Sequence, residues 1–408
     1  MAKILTIIPY KFYPPTNGGA LRCFHILREM SREHELYLLT VQPVDDFFGN
    51  INSDFPMNIN VISLSTAISY RSIFNVFPNK IADAINSRLI NKKLRASANS
   101  YFLKAYPVLL KILNEIQPDI VYFENLEAVG FFSNIVKKNN PMAKLIYDAH
   151  NIDSELWRQM SKSKNNSVLK KYALDALRLE KKIHRMVDYF FCCSEIDKTK
   201  LLKLNSFKIS GWIVPNGVDT HFKGFDPNPL KIINNKIIFC GSLDYFPNLE
   251  GLCWFYTKVY PLIKIVIPTI NLIIIGSDLN NDNYELFRFD NSVQFIGKTF
   301  DLKFFYYAAS LSIAPILSGS GTRLKILEAM SFGNPVVTTS IGVEGIDAIG
   351  GEHLMIANEP ENFSQKVVEL LQNSSLFENV RHKSRELVQS EYDWHKIGVK
   401  INQILHQI

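Results

Sequence analysis

The chain has 408 residues, more than the roughly 250–300 that a single hydrophobic core usually serves, so we expect two domains. Apolar residues make up 47% of the sequence and charged residues 21%, which excludes a disordered chain, a collagen-like repeat and a small disulfide-stapled protein. The net charge of +6 is moderate, and no apolar run reaches the about 18 residues that a membrane-spanning helix needs.

Short apolar runs alternate with longer segments of helical period along the whole chain, which predicts an α/β fold with parallel sheets. The pattern occurs twice, with a seam at about 203–210. The expected strands are Lys3–Pro9, Glu35–Val41, Asn58–Leu64, Ile120–Phe123, Lys144–Tyr147 and Tyr189–Cys193 in the first half, and Ser210–Val214, Lys236–Cys240, Asn271–Ile275, Val293–Ile296, Leu311–Ala314 and Pro335–Thr338 in the second. The expected helices are Gly19–Ser31, Ala105–Ile116, Val168–Met186, Asn248–Val266, Leu324–Phe332, Pro360–Leu371 and a last segment, Ser390–Ile408, that could pack on either half.

The start of the chain and its cysteines predict a protein of the reducing cytosol. The opening apolar run ends at Pro9 and is shorter than the core of a signal peptide. The five cysteines form no C-x-x-C pair, and no Cys/His set has the spacing of zinc ligands. We therefore expect buried thiols and no zinc.

Basic residues are concentrated between Arg158 and Arg185, where nine Lys or Arg accompany two acids. This density is typical of a solvated helix face and equally of a surface attracted to anionic lipid. A nucleic-acid partner fits poorly, because no interleaved aromatic residues or known binding motif accompany the charges. Peripheral contact with an anionic membrane is thus one of two interpretations that stay open.

Ligands of parallel α/β sheets bind at the carboxyl ends of the strands, so the loops that follow the strands are the candidate sites. After the first strand, Gly18 and Gly19 open a helix. Paired glycines let a ligand approach the backbone, and the helix N-terminus favours an anion, although a plain tight turn can have the same sequence. The spaced glycines of a dinucleotide-binding fold are missing, which counts against a dehydrogenase.

Polar side chains also follow two later strands of the first half. His150 and Asn151 come after the fifth predicted strand, and Glu124 comes after the fourth. His150 could donate to a substrate oxygen or carry a proton near neutral pH. It could equally cap a neighbouring loop, and Glu124 has the same ambiguity.

The strongest local pattern is the segment Ser318–Met330, with the sequence S-G-S-G-T-R-L-K-I-L-E-A-M, which follows a strand and opens an amphipathic helix. Ser320 or Thr322 can cap this helix, and the glycines leave backbone N–H groups to face a ligand. Arg323 and Lys325 add two positive charges in the first turn, where an anion such as a diphosphate would compensate them. Glu328 could accept hydrogen bonds from two ribose hydroxyls or pair with Lys325.

These residues resemble glycosyltransferase family 4, a family of retaining GT-B enzymes that use nucleotide sugars. The Gly18–Gly19 turn and the segment Asp148–Asn151 match its N-terminal half. The other matching pieces are I-V-P-N-G-V-D at Ile213–Asp219, F-C-G-S-L-D-Y-F-P-N at Phe239–Asn248, F-I-G at Phe295–Gly297, and G-S-G-T-R-L-K-I-L-E-A-M-S-F-G-N-P-V-V at Gly319–Val337. The motifs arrive in the family's order and cover nearly the whole chain.

The resemblance implies a GT-B fold, in which two Rossmann-like domains with parallel sheets face a central cleft. Residues 1–205 would form an acceptor-binding domain and residues 206–387 a donor-binding domain, with the last helix, 388–408, packing back on the first. The stretch Phe295–Lys298 would border the base. Carried over position by position, the implied catalytic residues are His150, Arg323 and Lys325; the donor-binding residues are Gly18, Gly19, Gly241, Ser242, Ile296, Gly321, Thr322 and Glu328; and the residues that could contact the sugar or acceptor are Glu124, Asn151 and Ser320.

The sequence departs from the family pattern in two places. The first acid of the family's E-x7-E pair falls on Ser320 here, which removes a contact to the sugar and leaves no enzymic nucleophile. Retention would then follow from departure and attack on the same face, with the leaving diphosphate accepting the acceptor's proton. The loop after the first donor-domain strand has Ser242 and Asn248 where the family often has Arg and Lys, as if the cations had moved onto the helix at Arg323 and Lys325.

We therefore expect a cytoplasmic glycosyltransferase that transfers a hexose-type sugar, with retention, from a UDP- or GDP-sugar to a polysaccharide or lipid-linked acceptor. The alternatives are a sugar-nucleotide epimerase of the same fold, for which only His150 and Glu124 stand out as an acid/base set, or a non-catalytic sugar-nucleotide-binding subunit. No cofactor and no metal are expected, because no D-x-D motif follows a strand. The two helix cations could provide the charge that Mg²⁺ provides elsewhere.

Overall fold

The computed structural model describes residues 1–49, 53–64, 100–163, 166–220, 234–276, 286–287, 289–297, 299, 302–319 and 321–408. These residues divide into two units, Met1–Pro215 with Ile397–Ile408, and Asn216–Lys396. Each unit has one parallel sheet, as the alternating pattern predicts. Two residues of the predicted sites, Ser320 and Lys298, lie outside the described residues. No helix in the described part of the chain is long and apolar enough to cross a membrane.

The first unit has a seven-stranded sheet in the order β3-β2-β1-β4-β5-β6-β7. Its strands are β1 Lys3–Ile8, β2 Glu35–Thr40, β3 Asn60–Ser63, β4 Ile120–Phe123, β5 Lys144–Ala149, β6 Tyr189–Cys192 and β7 Ser210–Ile213. The central strands are buried on both faces, which explains why they are continuously apolar. The sequence pattern assigned the strand at 210–214 to the second half. The structure places β7 beside β6, in register from Tyr189 and Ser210 to Cys192 and Ile213, so it is the last strand of the first sheet.

Two helices of the first unit begin at asparagines that cap their N-termini. Asn17 Oδ1 accepts a hydrogen bond from Ala20 N, and Asn125 Oδ1 accepts one from Ala128 N.

The segment predicted as one helix over 168–186 is broken at Lys181 and Lys182 into two. The helices are α1 Gly18–Met30, α2 Asp45–Phe48, α3 Ser100–Ile116, α4 Leu126–Asn139, α5 Asp153–Ser163, α6 Ser167–Glu180, α7 Ile183–Met186 and α8 Glu195–Leu204.

The second unit has a six-stranded sheet in the order β10-β9-β8-β11-β12-β13. Its strands are β8 Lys236–Cys240, β9 Asn271–Ile275, β10 Val293–Gly297, β11 Leu311–Ala314, β12 Val336–Thr338 and β13 Met355–Ile356. The pattern missed β13 because two residues are too short to show a period. The helices are α9 Phe246–Trp254, α10 Tyr260–Val266, α11 Leu302–Ala308, α12 Leu324–Ser331, α13 Pro360–Gln372, α14 Ser374–Glu391 and α15 Trp394–Gln407, with a π-helical turn, Phe255–Val259, between α9 and α10.

The last helix, α15, belongs to the first unit from Ile397 onward, whereas residues 388–396, which the resemblance also placed on the first unit, belong to the second. Asn402 Nδ2 donates to the carbonyl oxygen of Glu29 on α1 at 3.1 Å. Gly398 lies against the buried side chain of Glu29, because a Cβ placed on Gly398 would be 2.5 Å from the Glu29 Cβ. The absence of a side chain at Gly398 therefore permits α15 to approach α1 this closely.

We expect Gly398→Ala to destabilise the protein, although alanine favours a helix by about 1 kcal/mol over glycine. The added methyl group would overlap a buried side chain, and overpacking of this kind typically costs about 1–3 kcal/mol. Urea unfolding should show a lower midpoint for this variant. Val399→Ala, at the exposed neighbouring position, is the control and should change the stability by less than about 0.5 kcal/mol. A midpoint that Gly398→Ala leaves unchanged would contradict the close packing.

Candidate active site

In the first unit, three side chains form a hydrogen-bonded chain at the carboxyl ends of the adjacent strands β4 and β5. His150 Nε2 lies 2.7 Å from Glu124 Oε2, and the same oxygen accepts a hydrogen bond from Cys23 Sγ at 3.2 Å. The side chain of Glu124 is fully buried, whereas that of His150 is 17% exposed. Of these three hydrogen-bonded side chains, His150 is therefore the one that a ligand can reach, and Glu124 would act on a ligand through His150.

A buried ion pair holds the end of β5 beneath His150. Arg22, on the inner face of α1, donates from Nη2 to Asp148 Oδ1 at 2.6 Å and from Nε to Asp148 Oδ2 at 2.9 Å, and both side chains are fully buried. Arg22 Nη1 also donates to the carbonyl oxygen of Val214 at 2.8 Å. Burial alone would raise the pKa of Asp148, but the guanidinium holds it below its ordinary value. The pair thus joins α1, β5 and the segment after β7.

The surroundings of His150 favour its charged form. Burial acts to lower its pKa, but hydrogen bonds with Asp148, Cys23 and Glu124 outweigh burial and keep the pKa well above the ordinary value. His150 Nδ1 would be 3.5 Å from a Cβ placed on Gly19, so the ring faces the glycine turn that opens α1. An imidazolium beside a helix N-terminus can donate to an oxygen of an anionic ligand. The half-buried Asn151 follows directly in the chain.

The Cys23, Glu124 and His150 group also has the composition of a metal site, because its three ligand atoms lie within 4.8 Å of one another. A metal-binding cysteine must be a thiolate, and burial raises the pKa of Cys23 to about 12. Cys23 Sγ also lies 3.0 Å from the hydroxyl of Tyr10. Direct hydrogen bonds account for the positions of these atoms, so we interpret the group as a proton-bearing chain.

In the second unit, the glycine loop and α12 bring the predicted diphosphate residues together. Gly319 and Gly321 have φ angles of +109° and +82°, a backbone conformation that favours glycine. Arg323 folds back over this loop and donates from Nη1 to the carbonyl oxygen of Gly321 at 2.8 Å. Thr322 is buried but does not cap the helix: the capping position is Arg323, which makes no side-chain cap. The first turn of α12 therefore begins with an arginine rather than with a capping hydroxyl.

Lys325 has no carboxylate partner within 4.0 Å among the described residues, and the pairing with Glu328 that the sequence left open is not formed. Its ammonium donates to Asn248 Oδ1 at 2.6 Å and lies 4.7 Å from the centre of the Phe239 ring. Burial lowers the pKa of Lys325 to about 7. A nearby anion would favour the charged form, so the site has an electrostatic preference for a negatively charged ligand.

Glu328 lies one turn further along α12. Burial raises its pKa to about 7, and the hydroxyl of the buried Tyr306 is 3.5 Å from Oε2, which makes a weak hydrogen bond at most. The carboxylate therefore keeps capacity to accept hydrogen bonds from a ligand. Of the other predicted donor residues of this unit, Gly241 follows β8 and lies against Lys325, because a Cβ placed on it would be 2.6 Å from Lys325 Nζ. The exposed Ser242 comes next in the chain, and the half-buried Ile296 lies on the edge strand β10.

Sequence reasoning missed three residues of these sites: Arg22, Cys23 and Tyr306. Arg22 and Cys23 lie on the buried face of α1, and a charged residue between apolar neighbours was a signal that could have been read. Tyr306 lies on α11, where nothing in the sequence pattern distinguishes it from a packing residue. Each is identified only by partners that are distant in the chain.

Glu124→Gln should lower the pKa of His150, because it replaces a carboxylate by a neutral amide of the same shape. Loss of one charged hydrogen-bond partner corresponds to a change of about one pKa unit or more. A pH titration of the His150 ring signals by NMR measures it. Glu127→Gln, which removes a carboxylate three residues further on in α4, is the matched control and should leave those signals unchanged. An equal His150 pKa in wild type and Glu124→Gln would show that Glu124 does not control its charge.

Family models match both halves of the chain. Residues 16–222, just over half of it, match the model described as Glycosyltransferase Family 4. Residues 234–373 match the model described as Glycosyl transferases group 1. The first match spans the His150 site and the second spans the glycine loop and α12.

Two curated proteins are similar to this chain in sequence. An uncharacterised 44.6 kDa protein in the cps region of Klebsiella pneumoniae is 29% identical over 317 residues, which cover 74% of this chain and 79% of that protein. An uncharacterised glycosyltransferase of Haemophilus influenzae is 29% identical over 174 residues, 41% of this chain and 48% of that protein.

Among solved structures, sucrose-phosphate synthase from Thermosynechococcus elongatus has a TM-score of 0.72 and 14% identity, over 100% of this chain and 99% of that one. Anabaena HepE in complex with UDP and glucose has a TM-score of 0.68 and 14% identity, over 100% of both chains. At these identities the likeness shows the fold alone, which is the GT-B fold that the sequence predicted.

Proposed function

This chain belongs to glycosyltransferase family 4 of the GT-B glycosyltransferases, and we propose that it transfers a hexose-type sugar from a UDP- or GDP-sugar. The acceptor would be a polysaccharide or a lipid-linked saccharide, and the configuration of the sugar would be retained. The observation that carries the donor assignment is the ammonium of Lys325, which meets an amide but no carboxylate of the described residues. It lies at the start of a helix, beside Arg323 and a glycine loop, where a diphosphate would be stabilised.

Two neighbouring parts of a nucleotide sugar, the diphosphate and the ribose, would meet different residues of the second unit. Arg323, Lys325 and the backbone amides of Gly321 and Thr322 would hold the diphosphate, and Glu328 would accept hydrogen bonds from the ribose. Negative charge grows on the diphosphate as the glycosidic bond breaks, so these cations would stabilise the transition state more than the ground state. Glu328 would contribute equally to both and would mainly set donor affinity.

His150 would act on the sugar in the first unit. Its charged ring faces the Gly18–Gly19 turn and could donate to a sugar hydroxyl or a phosphate oxygen. We assign no enzymic nucleophile, because Ser320 occupies the position of the family's first acid. Retention by departure and attack on one face, with the leaving diphosphate accepting the proton of the acceptor, needs only the cations and His150.

Names of similar proteins support the choice of donor and acceptor. Anabaena HepE, which shares the fold, has been solved with UDP, with UDP and glucose, and with UDP-glucose. The Klebsiella relative is named for a cps region. We therefore place UDP-sugars first among the donors and a capsular or other cell-envelope polysaccharide first among the acceptors.

The function is tested with a panel of UDP-, GDP-, ADP- and dTDP-sugars, first by thermal shift and then by product analysis with and without saccharide or lipid-linked acceptors. A glycosyltransferase releases nucleoside diphosphate in an acceptor-dependent way. An epimerase, the second candidate, would change the sugar without an acceptor, and a binding subunit would only be stabilised. Stabilisation by no sugar nucleotide at all would overturn the assignment of the second unit as the donor site.

Donor affinity should be highest near pH 7. Above this pH the free Lys325 loses its proton, and binding of a diphosphate must return it, so affinity falls by up to about tenfold per pH unit. Below this pH the free Glu328 gains a proton, and hydrogen bonds from ribose hydroxyls must displace it, so affinity falls again. Calorimetric titration with a UDP-sugar, in buffers of different ionisation enthalpy, should show proton uptake at pH 8 and release at pH 6.

Single variants separate the two limbs of this pH profile. Lys325→Arg stays charged and should remove the alkaline fall, whereas Glu328→Gln does not titrate and should remove the acid fall. An affinity that is constant between pH 6 and pH 8 in the wild-type protein would mean that neither group contacts the donor.

Turnover should not require a divalent cation. Arg323 and Lys325 would provide at the diphosphate the positive charge that Mg²⁺ or Mn²⁺ provides in other transferases. Activity after dialysis against EDTA should equal that of the untreated enzyme. Activity that is lost in EDTA and restored by one divalent ion would show that the cations of α12 are not enough.

We also propose that the enzyme works at the cytoplasmic face of an anionic membrane. Of the nine Lys and Arg between Arg158 and Arg185, Lys164 lies outside the described residues and the others are exposed. The exposed apolar side chains Val168 and Leu174 lie among them on α6. A basic surface with apolar side chains can bind anionic headgroups and insert between them.

Vesicles that contain phosphatidylglycerol should bind the protein at low salt and release it at high salt, because exposed charges are screened over about 8 Å at physiological ionic strength. Vesicles of phosphatidylcholine alone should not bind it. Lys170→Glu with Lys171→Glu should weaken binding more than the same charge change at the exposed Lys396 and Lys400. Equal binding to both kinds of vesicle would favour a merely solvated helix face.

A further inference from the structure

Lys325 is held by a side chain from another element of the second unit. Its ammonium donates to Asn248 Oδ1, 77 positions away in the chain, at 2.6 Å. Asn248 lies in the first turn of α9 and is 7% exposed. An unanchored lysine keeps many rotamers, so this contact selects one position for the charge.

The amide of Asn248 can adopt only one orientation in this place. Its Nδ2 donates to the carbonyl oxygen of Ser242 at 2.7 Å, an atom that can only accept. Its Oδ1 meets the ammonium of Lys325, a group that can only donate. The two hydrogen bonds therefore fix the same orientation of the amide. Through them Asn248 links the loop after β8 to α12.

Gly241 leaves the space that the ammonium occupies. A Cβ placed on Gly241 would be 2.6 Å from Lys325 Nζ and 2.9 Å from Asn248 Nδ2. Contacts below 3.0 Å require something to move, so a side chain at this position would displace the lysine or its amide partner. Glycine at this position therefore leaves the Lys325 ammonium in its place beside Asn248.

An amide anchors a lysine without neutralising it. A carboxylate at the same distance would form an ion pair and would compete with a bound anion for the ammonium. A neutral acceptor fixes the position of the ammonium and leaves its charge for a ligand. Asn248 thus fixes the position of Lys325 Nζ without forming an ion pair with it, which is what an anion-binding lysine needs.

We propose that Asn248 is a positioning residue for donor binding: it fixes the ammonium of Lys325 beside the segment 242–248, which comprises the loop after β8 and the start of α9. The inference rests on the proposed binding of a donor diphosphate in the second unit. This role of Asn248 also accounts for the departure of the segment from the family pattern. The segment has Ser242 and Asn248 where the family often has Arg and Lys, and it holds the Lys325 ammonium through the amide of Asn248 instead of having a cation of its own.

The test compares nucleoside diphosphates with nucleosides. UDP and GDP, and uridine and guanosine, are titrated by calorimetry at pH 7 into the wild-type protein and into Asn248→Ala, Asn248→Asp and the control Asn271→Ala, an exposed asparagine of the same unit. Asn248→Ala should weaken diphosphate binding about tenfold, the scale of one charged hydrogen bond, with nucleoside binding unchanged. Asn248→Asp should also weaken it, because the carboxylate neutralises the ammonium. Asn271→Ala should match the wild type.

Relocation of the charge gives a second, independent readout. Lys325→Asn should lose diphosphate affinity, and Asn248→Lys combined with Lys325→Asn should recover most of it, because the new lysine starts from the position of the present amide. Circular dichroism and thermal unfolding show which variants fold. Recovery supports the proposal even if Asn248→Ala proves unstable.

The outcomes separate this inference from the proposed function. A wild-type protein that binds no nucleoside diphosphate would overturn the donor assignment itself. If the wild-type protein binds the diphosphate and a folded Asn248→Ala binds it equally well, Asn248 has no positioning role. If diphosphate and nucleoside affinities fall together in Asn248→Ala, the residue supports the structure of the site rather than the lysine.

Discussion

A positive charge stays inside a protein only where its surroundings compensate the loss of water, and the two units of this chain meet that constraint in opposite ways. In the first unit the compensation is built in: Arg22 meets Asp148, and His150 meets Glu124 and Asp148. In the second unit, Lys325 meets an amide and an aromatic ring. The first arrangement stabilises a fixed geometry, and the second leaves an electrostatic demand that a ligand can satisfy.

The fixed geometry of the first unit has a physical basis in the Arg22–Asp148 pair. Removal of one member of a buried pair leaves the other charge uncompensated, which costs far more than the pair itself contributes. The orientation of the pair is also fixed, because two parallel hydrogen bonds to the carboxylate of Asp148 define the plane of the Arg22 guanidinium. The Arg22–Asp148 pair therefore fixes the position of the end of β5 and, with it, that of His150.

How much the sequence predicts depends on whether a feature is local. The strands, the glycine loop and the polar residues at the strand ends could be read from neighbouring residues, and the two parallel sheets and the family were confirmed. The strand at 210–213 was assigned to the wrong sheet, because pairing of parallel strands depends on residues far away in the chain. The partner of Arg22 is 126 positions distant, and that of Lys325 is 77. No periodicity reports such contacts, although the unusual Asn248 and the lysine on α12 were both noticed.

The place where the last helix packs has a consequence for how the protein is made. The second unit, Asn216–Lys396, is an insertion within the first, whose final segment is Ile397–Ile408. The contact between Asn402 and Glu29 closes a loop of 373 positions, which contains the whole of the second unit. A ribosome therefore completes the second unit before it releases the segment that completes the first. The unit that emerges first is finished last, and until then the contacts of α15 with Glu29 on α1 are not formed.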